Sequence, residues 1–110
     1  RVRSKSEKIL ADKFYSMGVP YRYECPLKLK GYGTVYPDFT LLNCRTRQEY
    51  YLEHFGLMDD AEYSEKAVRK ITSYEKNGIF LGDRLLVNFE TTKTVLDMKN
   101  VEKLIVRYLM

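Results

Sequence analysis

Histidine occurs once in this chain of 110 residues, cysteine twice and proline three times. One His and two Cys are too few donors for a structural zinc site. Cys25 and Cys44 have no metal-like spacing and make no disulfide framework, which suits a reducing, cytoplasmic compartment. No apolar run is long enough to span a membrane. The N-terminus, Arg1-Val2-Arg3-Ser4-Lys5, is charged and lacks the apolar stretch of a signal peptide. It also lacks an initiator Met, so the expectation is a domain excised from a longer protein. Repeats, low-complexity tracts and internal linkers are missing too.

What remains is a chain with 45% hydrophobic residues, enough for one domain over residues 1–110 with a modest core. The net charge of +4 is compatible with nucleic acid but does not prove it. Positive charge is clustered: Arg1, Arg3, Lys5 and Lys8 at the start, Arg45 and Arg47 in a turn, and Lys66, Arg69 and Lys70 further on. Tyrosine occurs ten times. Tyrosines can line phosphate or base contacts, or simply fill half-buried strand positions by propensity.

Hydrophobic periodicity supplies the elements. Residues 4–17 read as a helix, with Leu10, Phe14 and Met17 on one face and Ser4 and Glu7 forming an S-x-x-E capping box. Gly18 and Pro20 end it. Residues 21–30 read as a strand bent at Pro26, followed by a Gly-rich hairpin turn at 30–34 and a second strand over 35–43. Residues 49–55 form a third strand. Asp59 or Asp60 caps a helix that runs to Lys76 and stops at Asn77-Gly78, with Tyr63, Ala67, Ile71 and Tyr74 as its apolar stripe. A fourth strand over 84–90 and a last helix over 98–109 complete an αβββαβα order. Short turns predict an antiparallel meander, and the crossover helix predicts that the fourth strand joins in parallel. The expected fold class is α/β, a mixed four-stranded sheet flanked by helices.

Two acids stand out, fifteen residues apart on the second and third strands. Asp38 follows Pro37, and Glu53 lies among aromatic neighbours. A carboxylate buried in an apolar strand is costly without a partner, and two on adjacent strands could share a divalent ion. Oxygen ligands favour Mg²⁺ or Mn²⁺. Each acid also has a plainer reading. Pro-Asp is a common turn dipeptide, and a strand glutamate can face solvent. Against the latter, Tyr51, Glu53 and Phe55 share one face. Glu7 is explained by capping alone, or points into a cleft. Lys66 and Lys70 are a solvated helix face or part of a site. His54 is packed, hydrogen-bonded or titrating. Asp59 and Asp60 read as capping residues.

Pro37-Asp38 opening one strand and Glu53 on the next, within this element order, resemble the PD-(D/E)XK, or restriction-endonuclease-like, nuclease superfamily. The resemblance covers nearly the whole chain, although the motif is short. It implies a Mg²⁺- or Mn²⁺-dependent endo- or exonuclease, with Asp38 and Glu53 as metal-binding catalytic acids and Glu7 matching the helical glutamate. The motif lysine would fall at position 55, where this chain has Phe55. Lys70 and Tyr74 make a K-x-x-x-Y spacing that looks like the Q-x-x-x-Y motif of the RecB-like branch, so Lys70 or Lys66 would stand in for the missing ammonium. Arg3, Lys5, Arg45, Arg47 and Tyr74 would contact nucleic acid, DNA in the first instance, without reading sequence. The absent lysine motivates an alternative, an inactive nuclease-like domain that binds DNA or assembles with proteins. An unrelated α/β interaction module is a third. Other domains of a parent protein, or a second copy in a homodimer, are further partners left open.

Overall fold

The computed structural model describes residues 4–110. Helix α1 (Lys5–Ser16) starts at Ser4, whose hydroxyl accepts from the Glu7 N–H at 3.1 Å. It ends at Met17 and Gly18, where φ of +74° turns the chain away. Helix α2 (Ala61–Lys76) is capped by Asp60, which accepts from the Tyr63 N–H at 2.9 Å. Asp59 instead accepts from the Thr92 N–H and hydroxyl, bracing the turn after the last strand. Helix α3 (Met98–Leu109) is capped by Asp97 and buries Val101, Ile105 and Leu109, one residue per turn.

The first two predicted strands each break in two. Residues 21–30 divide into β1 (Tyr21–Tyr23) and β2 (Leu27–Leu29), and residues 35–43 into β3 (Gly33–Val35) and β4 (Phe39–Leu42). The breaks face each other. Glu24 adopts φ of +52°, which ends the extended run. Pro26 and Pro37 have no N–H to give a ladder. β2 and β3 therefore form a separate antiparallel hairpin. β1 pairs with β4, β4 with β5 (Glu49–Phe55), both antiparallel, and β5 with β6 (Leu85–Phe89) in parallel. The main sheet is mixed and four-stranded, in the order β1-β4-β5-β6.

Strand β5 is central and covered on both faces, as a strand with a parallel neighbour usually is. Leu52 packs on one side with Leu10 and Phe14 of α1, Phe39, Leu41, Leu86, and Val101 and Ile105 of α3. Tyr51 packs on the other side with Tyr74 of α2, Leu85, Ile79, and Leu29 and Val35 of the hairpin. The β2–β3 hairpin and α2 thus share a face of the sheet, and that face carries the acids. Among the described residues, no helix is long and apolar enough to cross a membrane.

Candidate active site

Asp38 immediately precedes β4, and Phe39 pairs with Leu52 in the adjacent strand. Antiparallel register therefore sets Asp38 beside Glu53, the residue after Leu52. Asp38 Oδ2 accepts from the His54 N–H at 2.7 Å, which ties the start of β4 to the end of β5. Its Oδ1 has no hydrogen bond to another described residue, and Asp38 lines an open cleft of about 520 Å³ with Lys70, Glu24, Tyr32 and Tyr36.

Glu53 is only 2% exposed. The shared face of Tyr51, Glu53 and Phe55 is buried as a whole. Helix α2 supplies the compensation a buried carboxylate needs. The Lys70 ammonium lies 3.1 Å from Glu53 Oε1 and 3.0 Å from Oε2. The Tyr74 hydroxyl donates to Oε2 at 2.6 Å. Lys70 and Tyr74 are one turn apart on the stripe that also buries Ala67, so both reach the strand below.

Burial pushes the Glu53 carboxyl above its ordinary range. Lys70 and the Tyr74 hydrogen bond oppose that rise, and the Asp38 charge adds to it. Asp38 is likewise raised, first by burial, against the His54 N–H; Glu7 raises it further and Lys70 draws it down. The Tyr74 hydroxyl is pushed far above its usual value by burial and by Glu53. The acids and Lys70 therefore feel one another, the condition under which perturbed groups mark candidate sites.

The other expected residues are distributed differently. Glu7 is buried, and its Oε1 accepts from the Tyr23 hydroxyl at 2.6 Å. Among the described residues no three His, Cys, Asp or Glu side chains come together as a metal-binding group, although the Glu7 charge acts on Asp38. Lys66, one turn before Lys70, is exposed and sits beside Tyr32 and Arg69, so Lys70 is the ammonium at the acids. Tyr74 is 0% exposed. Its place on the buried stripe makes it a donor to Glu53 and removes it as a nucleic-acid contact.

Arg45 and Arg47 occupy the β4–β5 turn, at the opposite end of the hairpin from Asp38. Glu49 and Glu53 alone are separated by about 13 Å of strand. The Arg45 guanidinium donates to the Met110 carbonyl at 3.1 Å. Phosphates over the acids are out of their reach. Lys5 is exposed in the first turn of α1, and Arg3 lies outside the described residues. Phe55 stacks on Phe89, ring centroids 5.9 Å apart, and belongs to the packing of β5 on β6.

His54 points away from Glu53, to the other face of β5. Its Nε2 is 2.8 Å from Glu90 Oε1. Glu90 also accepts from Ser6 and from the Leu96 N–H. Burial alone would raise the Glu90 carboxyl, but these donors together hold it below its ordinary value. Glu90 and Glu24 escape a sequence reading. Glu90 ends its strand without a motif, and the positive φ that turns Glu24 toward the cleft has no residue signature.

No family model matches the chain. Among curated proteins it is similar to the uncharacterized protein MJ1519 of Methanocaldococcus jannaschii, 31% identical over 113 residues that cover 91% of this chain. The chain spans 9% of the length of that relative.

Proposed function

We propose that this chain is a restriction-endonuclease-like domain that hydrolyses phosphodiester bonds in nucleic acid, DNA in the first instance, with Asp38, Glu53 and Lys70 as its catalytic residues. One observation carries the reading. A lysine from the crossover helix lies 3.0 Å from the strand glutamate, beside the Pro-Asp carboxylate, at an open cleft. Lys70 thereby occupies the role that Phe55 cannot fill.

The residues fit a divalent ion of the hard, oxygen-seeking kind. Asp38 keeps one oxygen without a hydrogen bond to another described residue, and Glu53, whose two oxygens already face Lys70 and Tyr74, would bring a second carboxylate through a remaining lone pair. Magnesium needs only one or two protein carboxylates, since it retains waters and takes substrate phosphate oxygens. Bound by Asp38 and Glu53, it would supply a Lewis acid and a bound water of lowered pKa. The protein's own part is positional. The His54 N–H holds Asp38 in place, Tyr74 holds Glu53, and the Lys70 ammonium orients a water or stabilises charge that develops on the phosphate.

The test is cleavage of plasmid and of labelled oligonucleotides in Mg²⁺ or Mn²⁺, beside Asp38→Ala, Glu53→Ala and Lys70→Ala. Each substitution is expected to lower the rate by at least ~100-fold, the scale of losing one preorganised charge. Cleavage that survives both acid substitutions sinks the assignment.

A second reading has its own observation. Lys70 and Tyr74 together engage both oxygens of Glu53, as they would in a domain that keeps the architecture and binds nucleic acid without turnover. Metal-independent, salt-sensitive binding with no cleavage in either metal identifies that case.

A further inference from the structure

The cleft over Asp38 and Lys70 does not end there. Past Tyr32 it continues into two smaller hollows against α2, of about 250 and 220 Å³, where Lys66 and Arg69 stand. Tyr32 borders all three spaces. It lies at the tip of the β2–β3 hairpin, between Gly31 at φ +82° and Gly33 at φ +120°. Those left-handed conformations let the tight turn push the ring outward without a Cβ penalty. Tyr32 is 48% exposed and Tyr36, at the far end of β3, is 54% exposed. Tyr15 on α1 is more exposed still, at 83%, but the remaining tyrosines are better covered, and Tyr32 and Tyr36 are the exposed rings that line this cleft.

Charge is divided across this groove. Lys66, Arg69 and Lys70 all come from α2, whereas Glu24 and Asp38 come from the hairpin side. Among the described residues Arg69 forms an ion pair only with Glu65, at 3.6 Å, an exposed i,i+4 contact. Such pairs are weak and exchange readily for a phosphate. A polyanion would therefore track the α2 wall, away from the acids, and turn its other edge toward the tyrosines. Exposed aromatic rings beside a basic track are the elements of single-strand recognition: bases stack on the rings while cations follow the backbone. A duplex hides its base faces in its own stack and cannot use Tyr32 in this way.

We propose that the groove between the β2–β3 hairpin and α2 binds single-stranded nucleic acid, with bases stacked on Tyr32 and Tyr36 and phosphates along Lys66 and Arg69. The inference rests on the nuclease reading for its orientation toward Asp38, but its test does not depend on turnover. Binding is measured in EDTA, by fluorescence anisotropy, with a labelled single-stranded oligonucleotide and with the blunt duplex of the same sequence.

The single strand is expected to bind more tightly than the duplex. Tyr32→Ala is expected to weaken single-strand binding about 10-fold, the scale of losing one base–aromatic stack, and Tyr32→Phe to retain it. Lys66→Ala with Arg69→Ala is expected to flatten the salt dependence. Melting curves of each variant exclude unfolding, and Tyr32 is exposed enough to be replaced without loss of core. A duplex bound as tightly as the single strand overturns the proposal, as does Tyr32→Ala with unchanged affinity. Tight Tyr32-dependent binding with no cleavage in Mg²⁺ or Mn²⁺ upholds the groove and overturns only the nuclease assignment.

Discussion

Lys70 and Glu53 meet at 3.0 Å across the interface of α2 and β5, with Glu53 2% exposed and the lysine still partly open to the cleft. A buried carboxylate gains little from such a pair relative to an apolar core, but loses much when the partner is removed. The ion pair is thus costly to break and contributes little as packing. The proposed role of the Lys70 ammonium calls for such a pair, held at the edge of the cleft.

Removing the lysine should therefore cost stability as well as activity. Lys70→Met is expected to destabilise the fold by about 1–3 kcal/mol, because Glu53 keeps only Tyr74. Glu53→Gln together with Lys70→Met should cost less than the sum of the two single changes. Urea denaturation of the four proteins in the cycle measures this coupling. Strict additivity would mean that the pair is not an energetic unit.

The Tyr74 hydroxyl can be separated from its ring. Tyr74→Phe keeps the packing against Tyr51 and removes one donor to a buried carboxylate, an expected cost of about 1–2 kcal/mol. Tyr74→Ala should cost about 3–5 kcal/mol, since the ring itself is fully buried. A Tyr74→Phe protein as stable as the parent in thermal or urea unfolding would show that the hydrogen bond is irrelevant.

Asp38 carries a pH signature. Its carboxyl is raised in the folded chain above the ordinary value of 3.8. The folded state then binds more protons than the unfolded one, so this group's contribution is fully present below 3.8 and is lost as pH rises through the raised value. Asp38→Asn keeps an acceptor for the His54 N–H and removes the titration. The variant should gain on the parent as pH climbs from about 4, then run parallel to it. A stability difference that does not change with pH contradicts the assignment.

Glu90 behaves in the opposite sense. Its carboxyl is held below 4.5 in the folded chain, so its contribution is present above that value and fades as pH falls through the lowered one. Glu90→Gln should be destabilising at neutral pH and closer to the parent near pH 3. Unfolding midpoints at the two pH values decide this.

Much of the architecture was legible in the residues. Leu10 and Phe14, Ala67 and Tyr74, and Val101 and Ile105 repeat at helical spacing, and the caps at Ser4 and Asp60 mark where two of those helices start. The antiparallel and parallel joins of the main sheet follow from short turns and one crossover. The two strand breaks were not legible. Pro26 and Pro37 mark weak points, but the φ of +52° at Glu24, between β1 and the β2–β3 hairpin, has no residue signature.

The sequence by itself determined that Asp38 would stand at the opening of the strand beside that of Glu53, and that Lys66, Lys70 and Tyr74 would follow one another at helical spacing, because spacing and period are local properties. Which lysine meets the acid was a matter of how α2 is rotated on β5. Burial of Ala67 and Tyr74 settles that rotation, directs Lys70 inward and leaves Lys66 at the rim. The same packing takes Tyr74 out of solvent, and the opposed ends of the β4–β5 hairpin keep Arg45 and Arg47 from the cleft. Only the tertiary structure decided these, because each depends on contacts between segments that no local pattern encodes.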